Sequence, residues 1–251
     1  MDAPTLRLTD KVAIVTGAGR GIGKAIALMF AQAGASVVAA ARTVTEIEGT
    51  AAEIKAKGGR ALAVPTDVTQ PDQVSKMVQT TLSTFGRIDI LVNNAGGFGS
   101  KLVFLEKMTK QEWDELLGLE LGSVFLCSTA VIPTMKQQKQ GAIINIGSQV
   151  TMRVYLGTGH YGAAKAGVEH FTRTAAAEWA RYNVRVNCIV AGNVKSAAME
   201  KYGYNDAMKA QIPLGRFAEP EEIAAGALFL ASDAASYITG ANLPINGGWQ
   251  R

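Results

Sequence analysis

The stretch KVAIVTGAGRGIGKAIALMFAQAG, residues 11–34, joins an apolar segment to a helix through a turn rich in glycine. Residues 11–16 form a short β-branched run typical of a buried strand, and residues 21–34 carry apolar side chains at helical spacing. A strand, a glycine turn and a helix in this order favour an α/β unit that binds phosphate at the helix N-terminus. An ordinary glycine-rich turn is the alternative interpretation.

The same alternation of strand and helix continues along the chain. Further strands are predicted at 36–41, 61–68, 88–94, 142–148, 184–190 and 241–247. Helices are predicted at 45–59, at 71–86, from a capping box at Thr109 toward Lys136, at 160–180 and at 220–232. Repeated units of this kind predict one α/β domain over 1–251, with a parallel sheet and helices on both faces. The long segment at about 192–213 fits the alternation least and is predicted to be a substrate lid.

Composition excludes several function classes. The chain has 251 residues, of which 48% are hydrophobic and 18% charged, as in a single globular domain. The net charge of +4 is scattered, which argues against nucleic-acid binding. No apolar run is long enough for a membrane span, and the N-terminus does not resemble a signal peptide. Cys127 and Cys188 lie in apolar stretches, so we expect buried free thiols and a cytoplasmic location. No metal site is predicted.

The glycine turn and the second strand together predict the cofactor. The predicted contacts in the turn are Gly17, Gly19, Arg20, Gly21, Ile22 and Gly23. NAD sites of this architecture commonly place an acidic residue at the end of the second strand, where this chain has Arg42. A guanidinium there can pair with a 2′-phosphate, so NADP(H) is predicted over NAD(H). The alternative is that Arg20 and Arg42 are solvated surface residues.

Two more strand ends contribute candidate cofactor contacts. The pair Asp67 and Val68 follows the third strand, where a carboxylate can bond an adenine amino group or cap the next helix. Asn94, Ala95 and Gly96 close the fourth strand. They suit either direct contact with a ribose or a structural turn.

The candidate catalytic residues are Ser148, Tyr161 and Lys165. Tyr161 and Lys165 are four residues apart on one predicted helix and share a face. A neighbouring ammonium favours the phenolate, so we expect the Tyr161 pKa to fall from about 10 toward neutrality. Ser148 ends a strand and can direct its hydroxyl to the same space. This combination can protonate a carbonyl or deprotonate an alcohol.

Together these motifs resemble the short-chain dehydrogenase/reductase family from Lys11 to Gly248. The resemblance implies a single-domain Rossmann fold with seven parallel strands, a homotetramer or homodimer, and hydride transfer between nicotinamide and a ketone or secondary alcohol. It implies that Tyr161 is the acid/base and that Ser148 binds the substrate oxygen. Lys165 would lower the Tyr161 pKa and bind the nicotinamide ribose. Gly192, Val194 and Ser196 would contact the cofactor after the sixth strand.

Glu120 departs from the family pattern, because an asparagine is usual at its position in a segment like LELGSVF. The usual amide binds a water that links the active-site lysine to solvent. A carboxylate here would favour the Lys165 ammonium and oppose the Tyr161 phenolate. Two interpretations stay open: Glu120 is a member of the proton relay, or it turns aside and water fills the gap.

The substrate is predicted only by class. Candidate wall residues are Phe98, Gln149, Tyr155, Met199, Tyr202 and Trp249, each of which can equally be packing or an oligomer contact. Candidate basic residues at the opening are Lys101, Arg153, Lys195 and Lys201, for which a solvated surface is the alternative. These features favour an NADP(H)-dependent oxidoreductase acting on a hydrophobic small-molecule ketone or alcohol. The alternatives are a reductase of an enoyl- or dienoyl-CoA double bond and a non-catalytic cofactor-binding protein.

Overall fold

A computed structural model describes residues 6–97, 102–195 and 206–249. Its strands form one parallel sheet in the order β3-β2-β1-β4-β5-β6-β7. The strands are β1 (Val12–Thr16), β2 (Ser36–Ala41), β3 (Arg60–Pro65), β4 (Ile90–Asn93), β5 (Gly141–Ser148), β6 (Val184–Ala191) and β7 (Asn242–Ile245). The predicted seven-stranded Rossmann fold is confirmed.

Helices cover both faces of this sheet. Within the described ranges they are α1 (Gly21–Gln32), α2 (Val44–Ala56), α3 (Pro71–Phe85), α4 (Lys110–Leu117), α5 (Ser123–Gln138), α6 (Gly159–Trp179), α7 (Asp206–Ala210) and α8 (Pro220–Ala231). Side chains alternate between the faces along β1, so Ala13 and Val15 join the core under α1 and α8, while Ile14 joins the core under α3 and α5. Burial on both faces explains the continuous apolar runs of the strands.

The helix that begins at the predicted capping box is interrupted in its middle. Thr109 accepts the Glu112 N–H, and the Glu112 side chain accepts the Thr109 N–H, as predicted. A π-helical turn (Gly118–Gly122) then separates α4 from α5, which the sequence pattern did not predict. By length and composition alone, residues 110–138 could cross a membrane. This helix packs instead against α3 and the sheet, as the core helix of a globular domain does.

The carboxyl ends of the parallel strands define where a ligand can bind. β1 lies between β2 and β4, so chain order reverses at this point of the sheet. Crevices at such switch points are the usual ligand sites of open α/β sheets. The glycine turn after β1 and the segments after β4, β5 and β6 all lie at this edge. Both cysteines are buried free thiols, as predicted.

Candidate active site

The glycine turn leaves a concave surface, which would be filled if its glycines carried side chains. Gly17 and Gly21 have positive φ angles of 65° and 54°, which glycine adopts without strain. A Cβ at Gly23 would lie 2.2 Å from the Gly17 carbonyl oxygen. No described side chain caps the N-terminus of α1, and its first turn carries no acidic residue. Its N–H groups are therefore available to an anion, and the turn fits a dinucleotide pyrophosphate.

The Asn94 side chain holds the glycine turn through hydrogen bonds to its backbone. Its Nδ2 donates to the Thr16 carbonyl at 2.9 Å and to the Gly17 carbonyl at 3.3 Å. The Thr16 hydroxyl accepts the N–H groups of Asn94 and Ala95, each at 3.0 Å. Of the two predicted interpretations, the geometry gives the Asn94 side chain the structural one. Gly96 follows in a positive-φ conformation of 146°.

Charged residues of both signs lie in the glycine turn and after the neighbouring strands β2 and β3. Arg20 and Arg42 are both exposed, which fits both the phosphate-binding pair and the alternative of solvated surface residues. Asp67 feels the Arg42 charge, but its pKa is lowered chiefly because it accepts the Thr69 N–H. The same oxygen accepts the Thr69 hydroxyl at 2.7 Å. Asp67 therefore organises the turn before α3, and the Val68 side chain is buried in the core.

A carboxylate that sequence reasoning missed also faces the turn. The Glu46 side chain lies so close to Gly19 that a Cβ there would be 2.7 Å from Glu46 Oε2. α2 is fixed in this position because the Thr50 hydroxyl donates to the Ala18 carbonyl at 3.0 Å. The prediction of NADP(H) rests on the end of the second strand, which has Arg42 and no carboxylate that would repel a 2′-phosphate. Glu46 arrives from the next helix, which its place in the first turn of α2 could have indicated.

Ser148 and Tyr161 meet as predicted. Ser148 ends β5, and its hydroxyl forms a hydrogen bond with the phenol of Tyr161. The Ser148 hydroxyl also accepts the Val150 N–H at 3.3 Å. Lys165 Nζ lies 5.7 Å from the centroid of the Tyr161 ring. The three candidate catalytic side chains therefore share one space at the carboxyl end of β5.

The direction of the Tyr161 pKa differs from our expectation. Burial of the phenol raises its pKa most, Lys165 lowers it, Glu120 raises it and Ser148 lowers it, with a net rise. The predicted fall was wrong for the protein without cofactor, because the lysine acts against both desolvation and a nearby carboxylate. Tyr161 is therefore held as the neutral phenol, the form that donates a proton.

Glu120 is that carboxylate, and it faces the site. The exposed fraction of its side chain is 0%, and its Oε2 lies 2.8 Å from Lys165 Nζ. Lys165 also donates to the Ile146 carbonyl at 2.7 Å. The interpretation in which Glu120 turns aside is wrong. Burial alone would lower the Lys165 pKa, but the Glu120 and Tyr161 charges reverse this and raise it.

Amide and aromatic side chains form the described part of the predicted substrate wall. Gln149 is buried, and its Nε2 donates to Tyr155 Oη and to Asn193 Oδ1, each at 3.2 Å. Tyr155 stacks on Trp249 with 5.6 Å between ring centroids. Trp249 is buried against Ile212 and Phe217, which favours the packing interpretation for this residue.

The remaining candidates are the basic residues and the predicted cofactor contacts after β6. Arg153 stacks over Trp249, and Lys195 pairs with Glu219. Gly192 donates its N–H to the Ile245 carbonyl, and Val194 is buried in a bridge to Ala218. The candidates outside the described residues are Phe98, Lys101, Ser196, Met199, Lys201 and Tyr202.

Comparison with known proteins gives the family of this chain. The family model described as "Enoyl-(Acyl carrier protein) reductase" matches residues 17–250. A 3-oxoacyl-[acyl-carrier-protein] reductase of Synechocystis is 44% identical over 96% of this chain and 97% of that protein. The chain belongs to the short-chain dehydrogenase/reductase family.

Further relatives of this short-chain dehydrogenase/reductase point the same way. The 3-oxoacyl-[acyl-carrier-protein] reductase FabG of Thermotoga maritima is 39% identical over 97% of this chain and 99% of that protein. A crystal structure of a short-chain type dehydrogenase/reductase from Mycobacterium marinum superimposes with a TM-score of 0.92 at 37% identity, covering 97% of each chain. The chain is an oxidoreductase acting on C=O and CH–OH groups.

Proposed function

We propose that this enzyme reduces the ketone of a 3-oxoacyl thioester with NADPH. The observation that carries the proposal is the phenol of Tyr161, hydrogen-bonded to Ser148 and adjacent to Lys165 at the carboxyl end of β5. The 3-oxoacyl-[acyl-carrier-protein] reductases named among the relatives cover nearly the whole chain, which supports this substrate class. The guanidinium groups of Arg20 and Arg42 support NADPH, whereas the Glu46 carboxylate beside Gly19 would repel its 2′-phosphate.

The reaction divides between the cofactor and the side chains. Bound NADPH would supply the hydride from its nicotinamide, with the glycine turn holding its pyrophosphate and Tyr161 and Lys165 holding its nicotinamide ribose. Ser148 donates a hydrogen bond to the ketone oxygen and stabilises the charge that develops there. Tyr161 gives its phenolic proton to the same oxygen, and the Lys165 ammonium stabilises the phenolate left behind. Hydrogen bonds from Gln149 to Tyr155 and Asn193 would hold part of the predicted substrate wall in place.

The lid and the location of the enzyme belong to the same proposal. Residues 206–213 contain α7 and place Ile212 against Trp249, which anchors one end of the predicted lid segment 192–213. A cytoplasmic location suits a chain with buried free thiols.

Reduction of a carbon–carbon double bond is the second candidate, because the matching family model carries an enoyl reductase description. In an enoyl thioester the hydride adds to the β-carbon and the proton ends on the α-carbon, whereas a ketone takes the proton on its own oxygen. The paired hydroxyls of Ser148 and Tyr161 suit the protonation of a ketone oxygen, and this favours the carbonyl reaction.

A substrate panel tests the proposed function. Acetoacetyl-CoA, crotonyl-CoA and a simple hydrophobic ketone are each supplied with NADPH and with NADH, and nicotinamide absorbance is followed. We expect the highest kcat/KM with acetoacetyl-CoA and NADPH. Faster turnover of crotonyl-CoA would instead establish the double-bond reductase, and a preference for NADH would refute the cofactor assignment.

A further inference from the structure

The π-helical turn carries a carboxylate into the centre of the active site. Residues 118–122 widen the helix between α4 and α5, and Glu120 points from this turn toward α6. π-helical turns are rare and occur frequently at functional sites. This carboxylate stands where the family resemblance places an asparagine.

Each oxygen of Glu120 contacts a different part of the site. Oε1 accepts the Gly97 N–H at 2.6 Å, and Oε2 lies 2.8 Å from Lys165 Nζ. A Cβ at Gly96 would lie 2.7 Å from both oxygens, so the carboxylate is packed directly against the chain after β4. Glu120 therefore ties the segment after β4 to the catalytic lysine of α6.

The charges around Lys165 and Tyr161 come from a small set of groups. Glu120 faces them from the π-helical turn, and Cys188 faces Lys165 from β6. Burial raises the pKa of the Cys188 thiol to about 12, so it stays neutral over the working range. Burial lowers the pKa of His160, which precedes Tyr161, and Glu112 on α4 acts in the opposite direction. Among the described residues, Glu120 is thus the anion that contacts Lys165 directly and also acts on Tyr161 through its charge.

We propose that Glu120 is a positioning residue that holds Lys165 as the ammonium and Tyr161 as the phenol, and so extends carbonyl reduction to higher pH. A buried ammonium without a partner is unfavourable, so the ion pair keeps Lys165 charged. The carboxylate of Glu120 also disfavours a second anion on Tyr161. The proposal rests on the proposed role of Tyr161 as the proton donor.

The pH dependence of reduction tests this inference. Glu120→Gln keeps the size of the side chain and removes its charge. The alkaline limb of kcat for acetoacetyl-CoA reduction should then move to lower pH by about one unit or more. Glu115→Gln is the matched control, because Glu115 lies exposed on α4 and bonds Gln111. We expect the limb of this control to superimpose on that of the wild type.

Titration of the phenol gives a second readout that does not depend on turnover. The chain has six tyrosines, so the signal of Tyr161 must be separated from the other five. The phenolate absorbance of the same protein with Tyr161→Phe added is therefore subtracted at each pH, for the wild type and for Glu120→Gln. The Tyr161 phenolate should form at lower pH in Glu120→Gln than in the wild type. If Glu120→Gln fails to fold by circular dichroism, the smaller neutral variant Glu120→Asn is measured in the same way.

The outcomes separate this inference from the proposed function. If Tyr161→Phe retains turnover, the role of Tyr161 fails and the inference falls with it. If Tyr161→Phe is inactive but the limb and the phenolate titration of the neutral Glu120 variant match the wild type, the inference alone is overturned. A limb and a titration that both move to lower pH support it.

Discussion

At the scale of single residues, Tyr161 shows what spacing can and cannot predict. The i and i+4 spacing placed Lys165 on the same helix face, and the structure brings the two side chains together. The direction of the Tyr161 pKa depended on burial and on Glu120, forty-one residues away in sequence by the difference of their numbers. Sequence predicted the group that we propose transfers the proton, whereas tertiary packing determines how readily that group ionises.

Gly23 gives a prediction at this scale. Gly23→Ala should lower the free energy of unfolding by about 1–3 kcal/mol, because its Cβ would clash with the Gly17 carbonyl. It should also weaken NADPH binding about tenfold or more, since the turn must shift away from the pyrophosphate. Thermal unfolding and fluorescence titration measure the two effects.

Gly49→Ala is the control for this substitution. Gly49 lies inside α2, and a Cβ there would meet nothing within 4 Å. Alanine should raise the free energy of unfolding by about 0.5–1 kcal/mol and leave NADPH affinity unchanged. Wild-type NADPH affinity in folded Gly23→Ala would contradict our account of the turn.

At the scale of elements, the strands were the most predictable part of the chain. A parallel sheet buries both faces of its strands, so 11–16 and 184–190 appear as continuous apolar runs and match β1 and β6 to within one residue. The π-helical turn was not predicted, because apolar periodicity does not distinguish one wide turn within a long helix. The approach of Glu46 to Gly19 was not predicted either, since it depends on how α2 packs on the glycine turn.

Glu46 provides the prediction for this scale. Glu46→Gln should lower the KM for NADPH about two- to fivefold, because a carboxylate beside the glycine turn repels the 2′-phosphate. The KM for NADH, which lacks that phosphate, should change less. Steady-state kinetics with both cofactors measure this difference.

Glu48→Gln is its matched control on the same helix. Glu48 is exposed and carries the same charge, so its replacement should leave both KM values unchanged. An equal fall for NADH and NADPH in Glu46→Gln would show that Glu46 acts on the turn rather than on the phosphate.

At the scale of the whole molecule, the sheet order places the glycine turn and Tyr161 at the same edge. Repeated strand and helix units were sufficient to predict this architecture, because parallel strands present all their carboxyl ends on one side. The substrate wall could not be predicted to the same depth, since Gln149, Tyr155 and Trp249 come together from distant segments. The homotetramer or homodimer remains a prediction of the family resemblance.

Phe125 allows that assembly to be tested. Its side chain is 53% exposed on α5, so it is accessible to a neighbouring subunit. If α5 forms part of a subunit interface, Phe125→Asp should lower the mass measured by light scattering from a multiple of 26.4 kDa to a smaller species. An unchanged mass would exclude Phe125 from the interface, and a monomeric wild type would refute the predicted assembly.

The most direct test of the central claim, that Tyr161 is the proton donor for carbonyl reduction, is the turnover of Tyr161→Phe with acetoacetyl-CoA and NADPH. Phenylalanine keeps the ring and removes the hydroxyl that bonds Ser148. We predict a fall in kcat of about a hundredfold or more, with NADPH affinity within about twofold of the wild type. A Tyr161→Phe enzyme that binds NADPH normally and turns over within about tenfold of the wild-type rate would contradict the account.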